Sequence, residues 1–466
     1  MEFILAIAAL TGAFWVAVVF FRGGLVGGAL AVLLAGSCFG HPFFNLPVGP
    51  LPLTSDRVLL VLLVAQYILY RRWGWADPKP LARADYLLAA FLIVLVASTL
   101  THDFRYHNAQ PLSQLVFFYL MPATMYWIVR QARWSAAAVR WLTGSLVAFG
   151  VYLCLTAVAE THDLWALVFP TYIGSSEYCE FLGRGRGPFL NPAANGMVQS
   201  LGLCAALVSW PRLGRAGRAV VVLLLPIFAW GIYCTYTRSA WMGAALGVVI
   251  AVAAITPPRL RFAALASMLL GGVLVLGATW QNVLAFKRDR DVSAEDTAES
   301  AKLRPILAVV AWHMFLDRPL LGCGFGQYVQ ESPAYLSDRS TDFPLEKARP
   351  YVQHNAFLAL LTETGLVGAG LFLALLASWT HTAWRLARSK ASTPSARQLG
   401  LLFLVLMGAY LPNAMFQDVS IIPGVNMLLF FFGGAVSALG FSLAGASSVE
   451  RPRLWVPERE AAASAV

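Results

Sequence analysis

Long apolar segments follow one another along most of the chain, and short polar stretches separate them. Each segment is close to the ~20 residues that an α-helix needs to cross the hydrocarbon core of a membrane. The segments lack the alternating pattern of barrel strands, and lipid offers the backbone no hydrogen-bond partners, so we predict helices. The candidate spans lie at about residues 3–21, 24–40, 57–70, 85–101, 113–129, 138–158, 193–210, 219–234, 239–256, 262–280, 355–380, 399–416 and 421–444.

The first two spans are short, and the glycine-rich stretch from Gly23 to Gly28 between them makes a tight hairpin one option, so the total is about 12 to 13. Composition agrees with a membrane protein: of 466 residues, 58% are hydrophobic and only 12% are charged. Soluble domains carry roughly a quarter of charged residues. We therefore predict an all-α, polytopic integral membrane protein. Residues 1–445 are expected to form a single transmembrane domain, and the Ala-rich segment 446–466 a disordered cytoplasmic tail.

Basic residues identify the cytoplasmic side, because short cytoplasmic loops are enriched in arginine and lysine. This alternation puts two long loops, about 159–192 and 281–354, on the periplasmic side of a bacterial-type inner membrane. The net charge of +10 is thus a topology signal, and no nucleic-acid partner is expected. The basic residues gather in alternate loops as Arg71, Arg72, Lys79 and Arg83; Arg130, Arg133 and Arg140; Arg212, Arg215 and Arg218; Arg259 and Arg261; and Arg385, Arg388, Lys390 and Arg397.

The cysteines show no CxxC pair and no spacing typical of metal ligands. Most fall in apolar spans and are expected to be buried small hydrophobic residues. Cys179 and Cys323 lie in the two outer loops, where a disulfide is an option in an oxidising compartment.

The long outer loop contains helical segments within residues 281–354. Its first part is charged, and the sequence LRPILAVVAWHMFLDRP then places Leu307, Val310, Ala311 and Met314 at helical spacing. We predict a helix lying on or over the membrane face. The glycines at 322, 324 and 326 superficially resemble a nucleotide-binding loop, but no parallel strand precedes them, so a tight turn is the better interpretation.

Three outer sites carry candidate chemistry. His354 lies at the start of a span, where it is either a polar residue at a helix start or a general base. Arg184, Arg186 and Asn191 lead into a span near residue 193, and a helix N-terminus beside arginines suits an anion. Arg238 lies at the outer end of another span; taken alone, it is best explained as a cation that reaches the headgroups.

The order of these motifs resembles the O-antigen ligase and polymerase superfamily. The matching segments are Arg-Gly-Pro-Phe with Asn-Pro (186–192), Thr-Arg-Ser-Ala-Trp (237–241), Pro-Leu-Leu-Gly-Cys-Gly-Phe-Gly (319–326), and His-Asn-x-x-Leu with Glu-x-Gly-Leu-x-Gly (354–368). The resemblance covers about residues 180–370 and is only topological elsewhere. It implies transfer of a glycan from an undecaprenyl-diphosphate carrier to a hydroxyl of lipid A core or another glycan, on the periplasmic face.

The resemblance also implies roles for single residues. Arg186 and Arg238 would hold the diphosphate, and His354 would take the proton of the acceptor hydroxyl. Arg304 would be a further phosphate contact and Asp418 an acceptor-binding group. Arg184, Asn191 and Asn355 lie beside these positions and are predicted to bind substrate. Two arginines and a histidine suffice for the reaction, so we expect no cofactor, no metal and inversion at the anomeric carbon.

Two other functions remain as alternatives. Asp289-Arg-Asp291 spells the Asp-x-Asp pattern of metal-dependent glycosyltransferases, although the neighbouring Lys287, Arg288 and Arg290 oppose cation binding. A lipid or polysaccharide transporter would be expected to show ionisable residues at mid-span and internal repeats. Here the polar residues gather in the outer loops instead.

Overall fold

The computed structural model describes residues 2–46, 53–105, 110–284, 294–337, 343–349, 351–422 and 424–449. The all-α class is confirmed, since 78% of the residues are helical. In the described part of the chain, the strands are the antiparallel pair β1 (Asn45–Leu46) and β2 (Leu53–Thr54), each two residues long. Asp289, Asp291 and residues 450–466 of the predicted tail lie outside the described residues.

The helices up to residue 234 are α1 (Glu2–Cys38), α2 (Ser55–Arg72), α3 (Arg83–Leu100), α4 (Pro111–Leu115), a π-helical turn (Val116–Leu120), α5 (Met121–Arg130), α6 (Ala136–Thr161), α7 (Pro192–Ser209) and α8 (Arg215–Cys234). Those that follow are α9 (Arg238–Ile255), α10 (Pro258–Leu284), α11 (Ala294–Asp317), α12 (Tyr328–Glu331), α13 (Ala356–Arg388), α14 (Pro394–Phe416) and α15 (Val425–Val449).

Eight helical segments among the described residues are long and apolar enough to cross a membrane. They confirm an integral membrane protein, while the total of 12 to 13 spans and the side that each loop faces stay predictions. The two predicted N-terminal spans form one element, α1, which is broken at Gly24, where φ is +61°. Helix α7 is not among the eight because it carries Asn195, Gln199 and Ser200, all fully buried in the bundle.

Helices α9 and α14 pack closely along their length through small residues. A Cβ added to Gly243 would lie 2.8 Å from the carbonyl oxygen of Ala409, and one added to Gly247 would lie 3.5 Å from the side chain of Val405. The two pairs run in opposite directions along the chain, so the helices are antiparallel. The start of α9 therefore lies level with the last turn of α14.

Helix α13 is broken by Gly365, whose φ of +62° and ψ of −165° suit glycine alone. The backbone of the loop 319–324 fills the break. Thr362 and Glu363 accept hydrogen bonds from the N–H groups of Cys323 and Gly324, both at 3.0 Å, and Leu366 donates to Pro319 at 2.8 Å. The glycine-rich loop and the Glu-x-Gly segment are thus one structural unit.

The predicted helix in the long outer loop is confirmed as the second half of α11. Leu307, Val310, Ala311 and Met314 are all at most 1% exposed and share a small core with Cys323, Tyr328 and Leu345. The tight-turn interpretation of Gly322, Gly324 and Gly326 also holds, since φ is positive at all three.

All six cysteines lie in described residues and all are free thiols. Cys179 is exposed and the other five, Cys323 among them, are buried. The optional disulfide between Cys179 and Cys323 is therefore absent.

Candidate active site

Arg186 lies in the interior, with no exposed surface. Its guanidinium donates to the carbonyl oxygens of Ile173, Tyr178 and Glu180 and faces the buried carboxylate of Glu160, with Nε 3.9 Å from Oε2. Glu160 also accepts the backbone N–H of Gly187 at 2.8 Å. The arginine that was predicted to hold the diphosphate therefore ties the outer loop to the end of α6.

Arg184 lies against the turn that precedes α9 and is 4% exposed. Its Nη2 donates to Oγ1 of Thr237 at 2.6 Å and to the carbonyl of Tyr236 at 3.3 Å. Thr237 is the residue immediately before Arg238, which begins α9. Arg184 thus supports the backbone that presents Arg238.

Asn191 and Asn355 are both helix N-caps. The Oδ1 atom of Asn191 accepts the N–H groups of Ala193 and Ala194 at 3.0 and 3.1 Å, and that of Asn355 accepts those of Phe357 and Leu358 at 3.0 and 2.9 Å. Such caps stabilise a helix by about 1 kcal/mol. The signature of a cap, Asn followed by an apolar helix, was present at both positions in the sequence.

The outer end of α14 brings three distant segments together. The side-chain N–H of Asn355 donates to the carbonyl of Met415 at 3.1 Å, and the guanidinium carbon of Arg304 lies 5.6 Å from the centre of the Phe416 ring. The antiparallel packing of α9 on α14 places Arg238 at the same level. Arg304 and the start of α13 therefore meet at the end of α14, and Arg238 lies at the same level of the bundle.

His354 immediately precedes the Asn355 cap and is exposed. The cap fixes the backbone at this point, since Asn355 binds both its own helix and α14. His354 is thus held at the surface at this end of the bundle, whereas Arg304 and Arg238 are half-buried.

A half-buried acidic pair, Asp418 and Glu363, lies next to this surface. Asp418 accepts hydrogen bonds from the N–H and Oγ of Ser420, at 3.1 and 2.5 Å, and interacts electrostatically with Glu363, Tyr119 and Tyr410. Burial raises the pKa of Asp418 to about 6. Glu363 accepts the N–H of Gly326 at 2.9 Å.

Glu160 and Glu363 were not among the site residues predicted from the sequence. Both lie inside apolar helices, where a carboxyl group is costly and marks a functional or structural centre. Their position inside apolar helices was the feature of the sequence that could have identified them as site residues.

An apolar groove of about 680 Å³ begins one turn from Arg238 and runs along α9 between α8 and α10. Its outer end is formed by Tyr233 and Trp241, whose rings stack with centroids 5.5 Å apart, and its deeper part by Val248, Val249 and Leu265. A long hydrocarbon chain lying in this groove would have its polar end at Arg238.

No group of three or more His, Cys, Asp or Glu side chains among the described residues has an arrangement that could hold a metal ion. The Asp-x-Asp segment falls outside that part of the chain, so the question of a metal at Asp289 and Asp291 stays with experiment.

A comparison with known families finds a match in the middle of the chain. Residues 219–373 match the family model described as O-antigen ligase. The matched segment contains Arg238, Arg304, His354, Asn355 and the broken part of α13. It confirms the resemblance to the O-antigen ligase and polymerase superfamily, while Arg184, Arg186, Asn191 and Asp418 lie outside the match. No curated protein matches the chain.

Proposed function

We propose that the protein transfers a glycan from an undecaprenyl-diphosphate carrier to an acceptor hydroxyl on the periplasmic side of the bacterial inner membrane. The observation that carries this proposal is the meeting of Arg304 and the His354–Asn355 segment at the outer end of α14, with Arg238 held at the same level by the packing of α9 on α14. The family match over residues 219–373 supports a membrane protein that transfers glycans, and the donor, acceptor and mechanism are our inference.

The carrier diphosphate is the leaving group, and it gains negative charge as the glycosidic bond breaks. Arg238 and Arg304 supply fixed guanidinium groups that stabilise this charge through paired hydrogen bonds. The apolar groove along α9 supports a polyprenyl carrier, because it leads from the hydrocarbon region to Arg238.

The acceptor hydroxyl must lose one proton as it attacks the anomeric carbon. His354 is exposed at the same end of the bundle, and a histidine near neutral pH is suited to take that proton. Attack from the side opposite the diphosphate inverts the anomeric configuration. The nearby Asp418 is suited to accept a hydrogen bond from the acceptor sugar, so we assign the acceptor, lipid A core or another glycan, to that side.

Arg186, Arg184, Asn191 and Asn355 take a different part in this proposal. Their polar groups bind protein atoms, so they position the outer loop, the start of α9 and the starts of α7 and α13. We therefore assign the diphosphate contacts to Arg238 and Arg304, and give Arg186 a positioning role.

The test is transfer by the purified full-length protein in liposomes, from a defined undecaprenyl-diphosphate glycan to lipid A core and to free glycan acceptors. We expect a product whose new linkage is inverted, as read by NMR. No product with any acceptor would overturn the proposal.

Excess EDTA in the same assay tests the metal-dependent alternative. Because the arginines supply the positive charge, we expect an unchanged rate in EDTA and in the Asp289→Ala and Asp291→Ala variants. Loss of activity that returns with Mg²⁺ or Mn²⁺, together with inactive aspartate variants, would favour the Asp-x-Asp mechanism.

A further inference from the structure

A second cavity lies on the outer side of the bundle, away from the apolar groove. It occupies about 270 Å³ between the end of α1, the start of α2, the π-helical turn, the 3₁₀ turn Gly187–Phe189 and the start of α15. This is about the volume of nine liquid waters, which suits one sugar ring. The phenol of Tyr172 binds the carbonyls of Cys38 and Pro188, both at 3.0 Å, and so joins two of the walls.

Three oxygen atoms in the walls are buried and have no hydrogen-bond partner within the described structure. They are Oγ1 of Thr54, Oδ1 of Asp56 and Oδ1 of Asn426. Thr54 is 0% exposed and Asn426 is 2% exposed. Buried polar atoms are nearly always paired in native proteins, so three unpaired acceptors around one cavity indicate a ligand that supplies hydrogen-bond donors.

The orientation of the Asn426 amide follows from its own contacts. Its Nδ2 donates to the carbonyls of Phe118 and Ser420, at 2.8 and 3.0 Å, which leaves the carbonyl oxygen of the amide as the group available to a ligand. Thr54 is the N-cap of α2 but makes no side-chain cap bond. Neither oxygen is therefore needed by a neighbouring element.

The remaining wall is aromatic. Phe117, Phe118 and Phe189 line the cavity, and the guanidinium of Arg57 lies 3.7 Å from the centre of the Phe117 ring. Hydroxyl donors on the edge of a ligand and apolar C–H faces on its ring would match these walls.

We propose that this cavity binds a sugar residue through its hydroxyl groups. The proposal rests on the glycan transfer proposed above and adds a glycan subsite to it. Asn426 binds the carbonyl of Ser420, and Ser420 binds Asp418, so a single turn, Asp418 to Ile421, separates the cavity from the outer end of α14.

The sugar belongs either to the donor glycan or to the acceptor, and binding measurements separate the two. The probes are the glycan released from the carrier and the oligosaccharide released from the lipid acceptor, each titrated by calorimetry into the full-length protein in detergent. We expect one of the two to bind the wild type, and that one identifies the source.

The decisive variant is Thr54→Val, which keeps the shape of the side chain and removes an oxygen that no described group uses. We expect roughly fivefold weaker binding, as for one lost hydrogen bond, with no loss of thermal stability. Thr54→Ser restores the hydroxyl and should bind like the wild type. Thr382→Val, in the distant half of α13, is the matched control and should leave binding unchanged.

Equal binding by the wild type and Thr54→Val, or no binding of either probe to the wild type, would overturn the subsite. These titrations do not require turnover. Binding without transfer would therefore contradict the proposed reaction and support the subsite. Transfer together with unaltered binding in Thr54→Val would support the reaction and contradict the subsite.

Discussion

Gly365 lies directly against the backbone of Leu320: a Cβ added to the glycine would be 2.3 Å from the Leu320 carbonyl carbon. The same close approach lets Leu366 and Val367 donate to the carbonyls of Pro319 and Leu320, at 2.8 and 3.2 Å. The loop that carries the three positive-φ glycines is therefore held by the break in α13, eleven residues after His354.

Gly365→Ala should destabilise the protein by more than about 2 kcal/mol, because alanine disfavours this backbone conformation and its methyl group would overlap Leu320. Gly370→Ala on the same helix is the matched control. A Cβ there meets nothing within 4 Å, so this change should be neutral or slightly stabilising. Thermal unfolding of both variants in detergent checks the difference. Equal melting temperatures would contradict the close packing of Gly365 against Leu320.

His354→Ala should reduce the transfer rate by roughly 10²-fold or more, the range for loss of a general base. The side chain is exposed, so expression and thermal stability should match the wild type. His381→Ala, in the opposite half of α13, is the control and should transfer normally. A folded His354→Ala protein with near-normal turnover would remove His354 from the mechanism.

Arg238→Lys and Arg186→Lys should fail in different ways. At Arg238 a point charge replaces a guanidinium fork, so turnover should fall roughly 100-fold while the fold survives. Arg186 donates to three carbonyls in the interior, so its lysine variant should lose about 2 kcal/mol or more of stability and expose the outer loop to protease.

Arg218→Lys, in the first turn of α8, is the control for both. If Arg186→Lys kept the wild-type melting temperature and lost only donor affinity, Arg186 would return to the role of phosphate contact.

Asp418→Asn should alter how stability depends on pH. Burial raises the pKa of Asp418 to about 6, above its ordinary ~3.9 in unfolded chains. The folded state therefore takes up the proton first, and the loss of stability is complete above pH 6 and disappears only below the unfolded pKa of ~3.9. The asparagine variant should melt at a higher temperature than the wild type at pH 8, and this difference should shrink as the pH falls below 6 and vanish only below pH ~3.9.

The asparagine side chain keeps the oxygen that accepts the hydrogen bonds of Ser420. The difference between Asp418→Asn and the wild type therefore reports the charge of the carboxylate and its repulsion with Glu363. A variant that melts lower than the wild type at pH 8 would show that the carboxylate is stabilised instead.

The local features of this protein could be predicted from its sequence and the long-range pairings could not. Apolar length located most spanning helices, and helical spacing from Leu307 to Met314 located the core face of α11. At Arg186 the local pattern of arginines before a helix indicated an anion site, but Glu160 and the carbonyl of Ile173 occupy the guanidinium. Nothing near residue 186 in the sequence indicates either partner.

The same limit applies to the glycine loop. Its tight turn was predicted correctly, because three glycines permit positive φ. Its packing into the break of α13 depends on backbone N–H and C=O groups that Gly365, some 40 residues later, leaves available for hydrogen bonds with the loop. The meeting of Arg238, Arg304 and His354 likewise depends on the outer end of α14, which no motif marks.

The exposed thiol of Cys179 turns the outer loop into a natural reporter. All other cysteines of the chain are buried, so an impermeant maleimide should modify the unaltered protein at one position. Modification in intact spheroplasts would show that this loop faces the periplasm, and so establish the orientation of the whole bundle without an introduced residue. Modification only after lysis would show the opposite orientation. A spin label at the same atom would report movement of the loop that Arg186 holds whenever a glycan donor arrives.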